Sequence, residues 1–341
     1  MKIERTPEIE AFFKRCTNQL RNEEINGFLG MHVTPTNEKK IQKKMKQAGI
    51  PEFSGDEESW PSLFISTQEY LQSPYNTHIR LDKIQSSEFK FTRETLSSNE
   101  LFNVCAIHPD PHRELNDWMT LRALDQPYDA VFLWQNDEVW MMDSPAEANT
   151  NDPYAKKAHG KVVTFGLGIG YFIYMAMLNP KVTSITVIEK SKAVIELFQT
   201  FIQPQFPNTI PLTIVEGDAL DYFNESYLDG FDSVYVDIWK SNDDGLVWVE
   251  KLLERYLPPL DKVDFWIESS IFETMHALIF MYFLELSQGR SARHTDAVYR
   301  RILKKIAKHF DSIDVTVRDV ETLKDAMYDT QTLRTILSIH I

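Results

Sequence analysis

The chain has 341 residues and a formal charge of −14, with 43% hydrophobic and 25% charged residues. This balance describes a folded globular protein with room for one large and one smaller domain, and it excludes disordered and fibrous classes. The acidic excess disfavours nucleic acid as a partner, so a small-molecule substrate is expected; oligomeric state is not legible.

The N-terminal stretch "MKIERTPEIEAFFKR" reads as a charged amphipathic helix and lacks the apolar core of an export signal. Cys16 and Cys105 are too few for a disulfide framework, and a cytoplasmic setting is expected. Helical spacing continues to about residue 55, through the lysine-rich "NEKKIQKKMKQAGIPEF". From about 60 to 125 the pattern mixes loops with strand-like pieces, "SLFIS" and "THIRLDKI". "YDAVFLWQNDEVWMMDS" then predicts a β-hairpin over Ala130 to Met142, turning at Gln135, Asn136 and Asp137, because Asn and Asp tolerate the positive φ of a tight turn. "NDPY" at 151 to 154 reads as a turn.

After about residue 158, short apolar runs alternate with helical patterns, which is the texture of βα units feeding a parallel sheet. Strands are predicted at Val162–Phe165, Ser184–Ile188, Leu212–Val215, Ser233–Asp237 and Val263–Ile267, with a helical insertion from about 271 to 310. Inside it, "ALIFMYFLEL" is too short for the ~20 residues that span a bilayer, so no membrane partner is expected. Arg290 to Lys308 is basic, with Val298, Ile302, Ile306 and Phe310 recurring as the apolar stripe of a helix whose basic face is solvated. "SIDVTVRDV" and "LRTILSIHI" read as a terminal antiparallel strand pair. The expected fold is α/β: a Rossmann-like seven-stranded sheet of five parallel strands plus that pair. Residues 1–126 would form a smaller α/β region, a lid over the site, and residues 127–341 the main domain with the hairpin at its start.

The functional signal lies in "VVTFGLGIGYF". Gly166, Gly168 and Gly170 follow a strand and open a helix, where a turn free of side chains lets a ligand approach the backbone. The order is G-x-G-x-G-Y, with Tyr171 where a dinucleotide fingerprint has its third glycine, and no Gly-Lys-Ser/Thr closes a phosphate loop. The next strand ends in Glu189, a carboxylate able to accept from both hydroxyls of a ribose. "VEGDALDYF" puts Asp218, followed by Ala219, after the third strand, within reach of an adenine ring, and "VYVDIW" puts Asp237 and Trp239 after the fourth. Ligands of open α/β sheets bind at this rim, and the four strand ends together imply an adenosyl ligand. Leu167, inside the turn, and Lys190, beside Glu189, belong to the same candidate site. Trp239 is a candidate to stack on a cation. Cys105, His108 and His112 lack a fourth ligand and a helical presentation, and no metal site is expected from them.

The run "FGLGIGYF…ITVIEKS…VEGDALDYF…VYVDIW" resembles the class I S-adenosylmethionine-dependent methyltransferase superfamily, and especially its spermidine-synthase-like branch. The resemblance implies that Gly166, Gly168 and Gly170 face the methionine portion, Glu189 the ribose, and Asp218 with Ala219 the adenine. It also implies that Asp237 lies beside the reacting sulfonium, as a cofactor contact and as the candidate catalytic residue. Two positions depart from the family. Thr164 stands where most of these methyltransferases carry an acid, and Lys240 follows Asp237 where aminopropyltransferases carry a second Asp. Three functions are therefore implied: methyl transfer from S-adenosylmethionine to an unidentified acceptor, aminopropyl transfer from its decarboxylated form, or binding without catalysis.

Overall fold

A computed structural model describes residues 1–20, 27–84, 86, 88–135 and 137–341. Contacts divide the chain into two units, one of Asn26–Ala106 and Trp118–Gly217, the other of Met1–Ile25, Ile107–Asp117 and Asp218–Ile341.

In the unit containing the glycine turn, Phe89–Leu96 (β1), Tyr128–Gln135 (β2) and Glu138–Met142 (β3) form an antiparallel sheet in chain order. β2 and β3 make the hairpin, with a register shift between Leu133 and Trp134. Asp137 takes the positive φ of the turn (61°), and Asn136 lies outside the described residues. The helix Pro145–Lys157 follows, capped by the Ser144 side chain, and it runs straight through "NDPY". The expected turn is thus helix. Pro153 removes only the bond its N–H would make to the carbonyl of Asn149, which lies on the exposed side and is open to water.

Gly160–Phe165 (β4), Val182–Glu189 (β5) and Leu212–Glu216 (β6) pair in parallel, β5 lying between the other two. Val162, Val163, Phe165, Ile185, Val187 and Ile188 are buried, the near-continuous apolar runs of strands covered on both faces. In the 60–125 region, Phe64–Ile65 is a strand paired with Leu121–Leu124, whereas "THIRLDKI" is not. It falls on the helix Pro74–His78 and a 3-10 turn at Leu81–Lys83, because Ser73 caps and Pro74 opens a helix just ahead of it.

The other unit carries Ser233–Val236 (β7) and Val263–Phe265 (β8), paired in parallel. β4, β5 and β6 in one unit and β7 and β8 in the other are five parallel strands alternating with helices, as in Rossmann-like α/β folds. Five strands replace the expected seven. The terminal antiparallel pair does not exist: Thr316–Val317 pairs in parallel with Lys2–Ile3, and the rest of the terminus is the helices Val320–Tyr328 and Thr330–Leu337. Asp319 and Asp329 cap them, and the buried Val320, Leu323 and Met327, then Leu333, Ile336 and Leu337, recur at helical spacing. The β-branched residues of "LRTILSIHI" misled the sequence reading because tertiary burial overrides strand propensity.

The 271–310 insertion is two helices, Glu268–Ser287 and Ala297–Asp311. The second is amphipathic, yet its basic face is not simply solvated. Lys305 is fully buried, within 2.8 Å of Glu250 and 2.6 Å of Glu254, and Arg301 grips Glu250 as well. Burial alone would push the Glu250 carboxyl up, but these two cations outweigh it and hold it below the usual range. The helix Pro7–Leu20 buries Ile9, Phe12, Phe13 and Cys16, with Phe13 5.9 Å and Phe12 6.5 Å from the Phe280 ring. Among the described residues, no helix is long and apolar enough to cross a membrane.

Candidate ligand site at the glycine turn

β4 ends at Phe165, and the next five residues turn the chain into the helix Tyr171–Met177. Gly168 (φ 49°) and Gly170 (φ 77°) occupy left-handed backbone that L side chains rarely adopt. At Gly170 a Cβ would meet Phe198 Cε2 at 2.5 Å and Phe206 Cζ at 2.9 Å, so this glycine is fixed by aromatic packing behind the turn. At Gly168 a Cβ would meet the thioether of Met141 at 2.9 Å. Backbone donors of the turn are partly spent: Gly166 N–H donates to Ile188 O, and Gly170 N–H to Leu167 O. Among the described residues, the N–H groups of Gly168 and Ile169 have no acceptor. Two donors in a left-handed turn at a strand end suit a polar ligand group.

Glu189 ends β5 half-buried, and both its oxygens are engaged. Oε2 accepts from Leu167 N–H at 3.1 Å and Oε1 from Ser191 N–H at 2.7 Å. Its carboxylate therefore ties the turn to the next helix, which Ser191 caps, while each oxygen keeps lone-pair capacity for a ligand hydroxyl. Burial raises its pKa, and the amides of Ser191, Leu167 and Lys190 partly offset that. Leu167 is buried, so its part in the site is its backbone; Lys190 is exposed.

The remaining sequence candidates lie in the other unit. Asp218 caps the helix Ala219–Tyr222, Oδ1 accepting from Leu220 N–H at 3.0 Å, and Ala219 is buried. Asp237 directly follows β7 and is half-buried. Trp239 is 5% exposed, its ring 6.3 Å from Phe265, so its faces are taken by packing and it is not a stacking platform. Lys240 is exposed, its N–H donating to Asp244 Oδ2 at the start of the helix Asn242–Arg255.

Sequence reasoning missed a buried acid beside the turn. Asp143 follows β3, two residues after Met141, and its oxygens accept from Tyr70 and Tyr128 hydroxyls, each at 2.6 Å. Burial raises its pKa against the pull of these phenols. The signal was an acid at the end of the apolar run "EVWMMDS", with tyrosines of distant segments as its unseen partners. Glu147, in the first turn of the following helix, is pushed up by burial to about 7. Thr164 is buried inside β4.

No family model and no curated protein matches the chain. Solved structures do match parts of it. Human methyltransferase-like protein 13 in complex with SAH is 19% identical over 27% of this chain and 42% of that one, with a TM-score of 0.20. M. jannaschii TYW2 in complex with AdoMet is 16% identical over 40% of this chain and 62% of its own, at 0.27. A putative caffeoyl-CoA O-methyltransferase from Staphylococcus aureus is 17% identical over 50% and 74%, at 0.26. This chain thus spans under half of the first of these structures, and its functional reading rests on its own residues.

Proposed function

We propose that the chain binds S-adenosylmethionine at the C-terminal ends of its parallel strands and directs its methyl group to a small-molecule acceptor. The observation that carries the reading is the left-handed glycine turn with two uncommitted N–H donors, followed at the next strand end by Glu189. The free donors suit the ligand's carboxylate, and the spare lone pairs of Glu189 suit ribose hydroxyls. Asp218 with Ala219, and Asp237, are assigned to the adenine and to the reacting end by their strand-end positions and by family resemblance. When bound, the cofactor would supply a sulfonium methyl to an acceptor nucleophile, with a neutral thioether as the leaving group. Proximity and alignment supply most of the acceleration for such a displacement, so no acid–base pair is required.

Aminopropyl transfer from decarboxylated S-adenosylmethionine is the second reading, and the buried Thr164 favours it, because that position is neutral in the spermidine-synthase-like branch. Lys240 opposes it by placing a cation where a polyamine would meet a carboxylate. Calorimetric titration with both ligands decides. Tighter binding of the carboxylated ligand supports methyl transfer, tighter binding of the decarboxylated one supports aminopropyl transfer, and binding of neither refutes the adenosyl assignment.

A further inference from the structure

Among the described residues, side-chain hydrogen bonds at four points stitch residues 67–80, outside the parallel-sheet region, to the rest of their unit. Thr67 N–H donates to Asp125 Oδ1 at 2.8 Å, and its hydroxyl to Gln126 O at 2.7 Å. The Tyr70 hydroxyl reaches Asp143. Arg80 exchanges both backbone groups with the Gln205 amide, its N–H donating at 2.8 Å and its carbonyl accepting at 3.3 Å. The fourth point is the turn itself: the Tyr75 hydroxyl donates to Ile169 O at 2.6 Å. Tyr75 is 1% exposed, and its ring packs 5.0 Å from Tyr171 and 5.6 Å from Tyr174, the residues of the helix that the turn opens.

The Ile169 carbonyl belongs to the peptide plane joining Ile169 to Gly170, whose orientation depends on ψ of Ile169 and on the left-handed φ of Gly170 (77°). A buried hydrogen bond to that oxygen selects one orientation from those that the permissive φ of Gly170 would otherwise let the plane sample. The same plane carries the Gly170 N–H that closes on Leu167 O. From the other side, Met141 fills the space at Gly168, and Phe198 and Phe206 back Gly170.

We infer that Tyr75 is a positioning residue that holds the glycine turn in its ligand-competent geometry, so that the Tyr75–Ile169 contact and ligand binding at the turn are coupled. The inference rests on the adenosyl reading for the ligand, but not for the geometry. By reciprocity, a ligand that needs the ordered turn tightens the Tyr75–Ile169 contact by the same factor that the contact tightens the ligand.

The test compares Tyr75→Phe, which keeps the ring and loses the hydroxyl, with Thr67→Val, which loses a strap hydrogen bond away from the turn. Hydrogen exchange by mass spectrometry on ligand-free protein reports peptides over 163–172 and 182–189. Tyr75→Phe is expected to speed exchange in the turn several-fold and leave β5 unchanged, while Thr67→Val leaves both unchanged. Titration with S-adenosylmethionine is expected to show Kd raised about 3- to 10-fold in Tyr75→Phe and unchanged in Thr67→Val, the scale of one hydrogen bond. In the wild-type protein, the ligand should slow exchange across 67–80. Unchanged turn exchange in Tyr75→Phe, or equal effects of the two variants, overturns the inference. Failure of the wild-type protein to bind the ligand overturns the adenosyl reading instead, and the exchange comparison still decides the role of Tyr75.

Discussion

Two carboxylates make stability depend on pH in an unusual direction. Burial pushes Glu147 from 4.5 to about 7, and burial with the nearby Asp117 charge does the same for Glu273 on the helix Glu268–Ser287. In the unfolded chain both titrate near 4.5, so between that value and 7 the folded state binds more protons. Their contribution is fully present below the unfolded pKa and is lost as pH rises through 7. From about pH 6.5 to pH 8, each group in full effect costs about 0.8 kcal/mol; discounted for remaining solvent contact, the pair gives about 1–1.5 kcal/mol. The window stops at 6.5 because His309 is pulled down by burial and by the amino terminus, and it opposes protonation of the fold at lower pH. Thermal melts should show Tm about 1–2 °C higher at pH 6.5 than at pH 8. The double variant Glu147→Gln, Glu273→Gln should flatten that slope. A wild-type Tm that is flat or falls on acidification over this range, or a slope that survives in the double variant, refutes the reasoning.

Gly170→Ala should destabilise by about 2–4 kcal/mol, combining left-handed strain with a clash against two packed rings, as read from urea unfolding. Gly168→Ala should cost only about 1 kcal/mol, because its clash is with the flexible end of Met141; equal losses would contradict this account. Glu189→Ala strips acceptors from the N–H groups of Leu167 and Ser191 and should lower stability by about 1–3 kcal/mol, beyond any loss of ligand affinity. A variant that binds poorly but melts like the wild type would assign Glu189 to the ligand alone.

The parallel strands, the glycine turn and Glu189 were legible because each is written locally: apolar runs, glycines at a strand end, an acid where a strand stops. What escaped depends on distant partners. "TILSI" looks like a strand until Asp329 caps it and Leu333, Ile336 and Leu337 find a helical face to bury. Lys305 looks like surface charge until Glu250 and Glu254, half a hundred residues earlier, surround it. The Trp239 ring looked available for stacking because sequence does not reveal that Phe265 and Gly245 already occupy its neighbourhood. The Tyr75 contact with Ile169 joins segments that share no motif, and only the folded chain brings them together.

The unit that begins with Met1 is assembled from three separated stretches, and its earliest residues pair with nearly its last. Lys2–Ile3 run beside Thr316–Val317, and the Met1 amino group donates to Phe310 O. During synthesis, Phe12 and Phe13 emerge long before Phe280, and the edge that receives Lys2–Ile3 later still. The apolar face of that helix must therefore wait, unsheltered, while the intervening sequence is made. That interval exposes it to holdase chaperones and to mispairing between neighbouring nascent chains, and it ties the security of Phe12 and Phe13 to the later arrival of Phe280 and that of Lys2–Ile3 to Thr316–Val317.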